Sequence, residues 1–192
     1  MFRLDFTFWL GIPIGLGIAF VFWYITTKVL TSQLSVSESL VKLTGPDSKR
    51  TYRFSLKNDG RRDAVDVRVK CNLFSTGWAQ GPPDEIATID VPVSVGQIDV
   101  MPGRRFWFLP ARPIDNVGDR IVTLQLAAIS DLQKGKLPRE DRARLESGEL
   151  GLEELLDLGE QSFINVVVYG FDRFSGSRTV YADRYYKKKD IG

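Results

Sequence analysis

Between Asp5 and Lys28 the chain carries no charged residue, and the uncharged run from Phe6 to Thr27 is 22 residues long. A helix of that length rises about 33 Å at about 1.5 Å per residue, enough for a hydrocarbon core of about 30 Å. The run holds four Phe, four Ile, two Leu and one Val. Together these favour insertion by about 3 to 7 kcal/mol, less the cost of Gly, Pro and Thr. Phe6, Phe8 and Trp9 crowd one end, and Phe20, Phe22, Trp23 and Tyr24 the other. Trp and Tyr rings prefer the two interfaces. A cleaved signal peptide has a shorter apolar core and a small-x-small site after it, and neither is present. The reading is a retained single-pass anchor that contacts the bilayer through residues 6–27.

Gly11, Gly15 and Ala19 recur every four residues and share one helix face. Small residues at that spacing let a second helix approach closely, which makes these three the candidates for helix self-association. Glycine is also common in membrane helices for no pairing reason. Pro13, between the two glycines, is expected to kink the first turns. Lys28, Lys42, Lys49, Arg50 and Arg53 follow the run, against Arg3 before it. Positive residues stay inside, so the C-terminal domain is expected on the cytoplasmic side of the cell membrane.

The rest of the chain narrows the chemistry. It has no His and a single Cys, Cys71. That removes His-based triads, His metal ligands, an intrachain disulfide and multi-Cys zinc sites. The formal net charge of +2 gives no case for nucleic acid. No calcium loop, P-loop, dinucleotide fingerprint or Gly-x-Ser-x-Gly elbow occurs. No catalytic, cofactor-binding or metal residue is therefore assigned, and a non-enzymatic role is expected.

Past residue 30 the pattern changes to period two. Leu34, Val36, Leu40, Val41 and Leu43 suggest a first strand. Tyr52, Phe54 and Leu56 alternate with Arg53, Ser55 and Lys57, and Asn58-Asp59-Gly60 then offers residues suited to a tight turn. Val65, Val67, Val69 and Cys71 alternate with Asp66, Arg68 and Lys70, so Cys71 reads as a core thiol. Further strands are expected at 86–91, 98–100, 104–109, 120–129, 163–171 and 178–186, separated by Pro and Gly. Gly170-Phe171-Asp172 and Phe174-Ser175-Gly176 mark a hairpin between the last two. Residues 131–161 break the alternation. Pro138 before Glu140 and Asp141 signals one helix start, and Leu152, Leu155 and Leu156 a second short helix. This insertion reads either as a lid over the core or as a partner-docking element, its charge running from basic (Lys134 to Arg144) to acidic (Glu146 to Glu160). Lys187-Lys188-Lys189 form a short basic tail that reads as solvated.

Two stretches carry resemblances. Tyr52-Arg53-Phe54-Ser55-Leu56-Lys57-Asn58-Asp59-Gly60 with Ala64-Val65-Asp66-Val67-Arg68-Val69 resembles the strand–turn–strand of bacterial CARDB-type immunoglobulin-like modules. Val166-Val167-Val168-Tyr169-Gly170-Phe171-Asp172, with Thr179 to Tyr186 and Asp190-Ile191, is similar to the closing hairpin of the cytoplasmic domain of prokaryotic inward-rectifier potassium channels. The second resemblance implies a cytoplasmic sandwich. The chain departs from that family in having one membrane run and no Thr-Val-Gly-Tyr-Gly filter, so no pore is implied.

The expected molecule is mainly β. An N-terminal tail and transmembrane α-helix (1–30) precede an antiparallel immunoglobulin-like β-sandwich (31–192) with a short helical insertion at about 131–161. The expected function is a membrane-tethered interaction or sensor module, an accessory subunit of a membrane assembly, with a protein partner or a second copy. The alternatives are a membrane-perturbing effector with a ligand-sensing sandwich, or an enzyme without a recognisable motif.

Overall fold

In β3 (Arg50–Asn58) Tyr52, Phe54 and Leu56 are buried while Arg53 and Lys57 face water. Period two gives the strand one apolar face, and that face needs a second layer. β4 (Ala64–Thr76) and β8 (Ser162–Asp172) are the centre of that layer. Their inward residues, among them Val67, Val69, Cys71, Leu73, Ile164, Val166 and Val168, join the same core as Tyr52, Phe54 and Leu56. The structure, a computed structural model, describes residues 6–26, 31–45, 50–76, 86–103, 119–174 and 180–192, with backbone alone for 6–10 and 180–182. The strand expected at 104–109 and the Ser175-Gly176 part of the hairpin lie outside the described residues.

The remaining strands are β1 (Leu34–Val36), β2 (Val41–Thr44), β5 (Ile86–Asp90), β6 (Gln97–Met101), β7 (Arg120–Leu124) and β9 (Val180–Tyr186). In the first sheet β3 is central, with β7 on one edge and β1 and β2 end to end on the other. In the second, β5 and β6 lie end to end along β4, β8 lies on its other edge, and β9 follows β8. Every pairing between these strands is antiparallel. The chain is mainly β, and its two antiparallel sheets enclose one core as in a β-sandwich.

Several details differ from the sequence reading. The first strand is two, β1 and β2, because the chain leaves β3 at Ser37 and rejoins it at Val41; Ser37 Oγ meanwhile accepts the Ser55 N–H at 3.2 Å. The 120–129 strand stops at Leu124 and becomes a 3-10 turn over Leu126–Ala128. Asn58-Asp59-Gly60 is not a hairpin turn, because β3 and β4 belong to different sheets and the segment crosses between them. Among the described residues only Asp66 and Gly148 have positive φ, so this crossing needs none. Asp66, at φ 48°, sits at a register shift between Val65 and Arg68. That irregularity, a β-bulge, removes Val65 from the buried row that continues from Val67.

The 131–161 insertion is helical, as expected: α2 (Asp131–Lys134), α3 (Arg139–Ser147) and α4 (Leu152–Asp157). Pro138 precedes the first turn of α3, and Gly148 ends it at φ 77°, with the Glu149 N–H returning to the Arg144 carbonyl at 2.9 Å. At the N-terminus α1 (Phe6–Tyr24) forms over the apolar run, with Pro13 inside it. It has 19 residues, and among the described residues no helix is long and apolar enough to cross a membrane.

The long strands separate the sandwich into two ends. β8 begins beside the insertion, where Gln161 N–H donates to Thr76 Oγ1 at 3.1 Å. It finishes at Asp172, whose Oδ2 accepts the Ser32 N–H at 3.0 Å, close to where the chain arrives from α1. Eleven residues at about 3.3 Å each put roughly 35 Å between these near and far ends.

At the near end Asn58, 5% exposed, closes the crossing. Its Oδ1 accepts from the Gln33 and Gly60 N–H groups, each at 3.1 Å. Its Nδ2 donates to the Arg62 carbonyl at 2.8 Å and the Met101 carbonyl at 3.0 Å. Gly60 is needed beside it, since a Cβ there would lie 2.3 Å from both Gln33 N and Thr31 O. Replacing Asn58 by Ala strands four backbone groups, so Asn58→Ala is expected to cost about 3 kcal/mol. Thermal unfolding followed by circular dichroism should show Tm lower by about 5 to 10 °C.

Candidate functional site

Two regions stand apart from the strands of the sandwich. The first is α1. Ile12, Ile14, Leu16, Ile18, Phe20, Val21, Phe22, Trp23, Tyr24 and Ile25 are all exposed, between 41% and 68%. Successive residues turn by about 100°, so these side chains point in every direction around the axis. A helix apolar all round has no wet face to present. Gly11, Gly15 and Ala19 lie on α1 and are exposed, and a Cβ built on either glycine meets nothing within 4 Å. The structure therefore keeps the three predicted residues on one uncovered stripe and places no other part of the described chain against them. At the C-terminal end of the helix Thr26 Oγ1 bonds to the Phe22 and Trp23 carbonyls at 2.9 and 3.0 Å, so the chain leaves with those groups satisfied.

The second region is the far end, closed by the insertion. Leu137, Leu145, Leu150, Leu152, Leu155 and Leu156 are at most 5% exposed and belong to the sandwich core. That geometry is the lid the sequence allowed for. The charge run is largely paired rather than displayed. Lys134 meets Asp131 at 3.1 Å and Glu146 at 3.4 Å. Arg144 meets Asp141 at 3.4 Å and Glu154 at 3.5 Å. Arg142 donates to the Leu137 and Gly135 carbonyls. Lys188 of the basic tail pairs with Asp157, so the tail lies at the far end beside the insertion.

Sequence reasoning placed Tyr52 in the buried row of β3 but missed its second task. Gly151 stands at the N-cap of α4 with no side chain to cap it. The Tyr52 hydroxyl takes that place: it accepts the Leu152 N–H at 2.9 Å and donates to Glu153 Oε2. A Cβ on Gly151 would come within 2.8 Å of that hydroxyl and 2.6 Å of Arg50 Nη1. Lys42 holds Glu153 at 2.6 Å. Arg50 holds Glu154 at 2.9 Å, and Glu154 also accepts the Gly151 N–H at 3.0 Å. The only signal available beforehand was that a buried tyrosine hydroxyl must find a partner.

These contacts set the local ionisation. Burial, then the Glu153 hydrogen bond, pushes the Tyr52 phenol well above its ordinary range. Burial alone would raise the Glu153 carboxyl, but hydrogen bonds from Lys42 and Tyr52 outweigh it and hold the group below its ordinary value. Arg50 and the Gly151 N–H lower Glu154 likewise. Cys71, 3% exposed, is a core thiol that burial pushes up to about 12, which leaves it un-ionised at neutral pH.

No protein-family model matches the chain, and no curated protein matches it in sequence.

Depressed carboxyl pKa values stabilise the fold above the ordinary carboxylate value near 4.5, and that stabilisation is lost as pH falls below it. Protection from hydrogen exchange across 150–158, taken relative to the intrinsic rate at each pH, should therefore fall below about pH 4.5 before that of the central strands does. Glu153→Gln should flatten that dependence. Tyr52→Phe, which removes the cap and leaves the Leu152 N–H unpaired, should raise exchange there at every pH.

Proposed function

We propose that this chain is a single-pass, membrane-anchored, non-enzymatic interaction or sensor module, an accessory subunit of a membrane assembly. α1 is the anchor, and an immunoglobulin-like sandwich presents its capped far end to partners. The observation that carries the reading is the uninterrupted apolar exposure around α1. Ten large apolar side chains on one helix have no stable arrangement in water without a second apolar surface. The helical turn at 25–26 extends α1 to about 21 residues, about 31 Å, which matches a bilayer core of about 30 Å. Trp23 and Tyr24 then fall at one interface.

The strand order supports the immunoglobulin-like reading. β3 and β7 pair as strands B and E do, β4, β8 and β9 follow one another as C, F and G do, and β1 with β2 takes the A position. The insertion occupies the E-to-F connection. Anchoring holds the domain at the membrane surface and raises its effective concentration toward membrane partners. The basic residues that follow α1 in sequence, Lys28 first, support a cytoplasmic domain. A second copy is the simplest partner for the Gly11, Gly15 and Ala19 stripe, which offers room for close helix approach.

Flotation of the full chain with liposomes tests the anchor. The protein should float and resist carbonate extraction, and removal of residues 1–30 should leave it in the soluble fraction. A full chain that stays in solution overturns the reading. Gly11→Ile with Gly15→Ile should abolish crosslinked dimers in membranes while flotation persists. Unchanged dimers would place the self-contact elsewhere.

A further inference from the structure

β8 is apolar on both of its faces. Inward, Ile164, Val166 and Val168 are fully buried in the core. Outward, the row is Phe163, Asn165, Val167, Tyr169 and Phe171, each half-buried. An antiparallel sandwich strand ordinarily pairs one apolar face with one wet face, and a strand apolar on both reads as one covered on both sides. The neighbouring strands widen the row. Phe74 of β4 stacks on Phe163 with ring centroids 5.2 Å apart, and Tyr185 of β9, 54% exposed, meets Phe163 edge-on at 5.5 Å. Among the described residues, α1 is exposed from Gly11 to Tyr24 and the insertion is docked on the far end, so neither is the second layer this row asks for.

Charge on this face is arranged about Val167. In register, Val167 has Lys70 beside it on β4 and Asp183 beside it on β9. Paired positions share a face, so a cation flanks the valine on one side and a carboxylate on the other. Lys70 is exposed, with its ammonium 5.9 Å from the Tyr169 ring. Asp183 accepts the Tyr185 hydroxyl at 3.1 Å, and a carboxylate takes more than one donor. Two copies can stack these faces about a two-fold axis in two ways. With the axis across the strands, Lys70 falls on the second copy's Lys70 and Asp183 on its Asp183. With the axis along β8, Val167 meets Val167 and each Lys70 meets the other copy's Asp183. The second arrangement also keeps both near ends on one side, where two anchors in one membrane would hold them. Charge and tether therefore select the same axis. Nine residues by three strands cover about 26 Å by 14 Å, roughly 400 Å² per copy. The total of about 800 Å² is short of the about 1,200 Å² of a contact that holds unaided, and anchoring makes up the difference by raising the effective concentration.

We propose that the outer face of β4, β8 and β9 pairs with the same face of a second copy in the same membrane, strands parallel, with Val167 on the two-fold axis and Lys70 against Asp183. The proposal rests on the anchor reading. Its test uses the full chain in phosphatidylcholine liposomes, with Val167→Cys as the probe on the axis; Cys71 is buried and adds no background. Mild oxidation should link Val167→Cys copies into disulfide dimers. Ser130→Cys, exposed in the insertion, should not link. Lys70→Asp in the Val167→Cys chain should lower the linked fraction by about fivefold, and adding Asp183→Lys should restore it. Restoration by the second swap also establishes that the first variant folds. Flotation of the same samples reads the anchor separately. A chain that floats without linking through Val167→Cys overturns the sheet contact and leaves the anchor standing. Linking that Lys70→Asp leaves unchanged, or that Asp183→Lys does not restore, overturns the parallel arrangement. A Val167→Cys thiol closed to maleimide in single copies dispersed in detergent assigns the cover to the chain itself and overturns the proposal. A chain that does not float overturns both readings together.

Discussion

The ladder between β4 and β8 is the constraint on which the rest of the molecule depends. It runs from Ala64–Asp172 at one extreme to Ser75–Ser162 at the other. Two strands of 13 and 11 residues are long for a small sandwich, and they fix the distance between its ends. Everything else is hung on them. β5, β6 and β9 complete their sheet, and the first sheet covers their inward face. The crossing at Asn58 and the hairpin at Asp172 are held at one end, and the helical insertion is docked on the other. A chain that arrives from an apolar helix at the near end must therefore display its insertion on the opposite side.

Local chemistry explains which parts of this were legible in the sequence. The alternation in Tyr52, Phe54 and Leu56 and in Val67, Val69 and Cys71 is a one-dimensional record of a two-faced sheet, and the structure reads it out directly. Pro138 and Gly148 act within one turn of their own position, so α3 was legible as well. Asn58-Asp59-Gly60 misled because its turn propensity is real but its use is not local. The segment serves as a crossing, fixed by Gln33 and Met101, which are distant in sequence. The break between β1 and β2 and the bulge at Asp66 were hidden too, because each interrupts one strand opposite a partner, β3 or β8, that runs on unbroken.

Among the candidate features, the placement of Gly11, Gly15 and Ala19 on one helix face was legible because helical spacing alone defines it. The clamp on α4 was not. Tyr52 is 100 residues from Leu152, and nothing in either neighbourhood announces the pairing. The physical logic is clear once the two are together. Burying a tyrosine ring is favourable, but its hydroxyl must keep a partner. A helix starting at glycine lacks its own cap. Each deficit supplies the other's remedy, and Lys42 and Arg50 then neutralise the two glutamates that the first turn of α4 carries.

The same reasoning separates the two ends by how they use charge. At the far end cations and carboxylates occur in comparable number and bind one another across the insertion, which makes a cap whose charges are mostly engaged. At the near end Asp172 is 1% exposed and Arg62, itself 15% exposed, covers it at 3.5 Å. Arg173 keeps two-thirds of its side chain in solvent even with Asp63 beside it. An ion pair that leaves its cation exposed still has donors to offer, and a guanidinium has five. The near end thus sets one arginine over a buried carboxylate and a second, more open one against Asp63, so charge there orders the crossing and the end of β8 where at the far end it seals a cap.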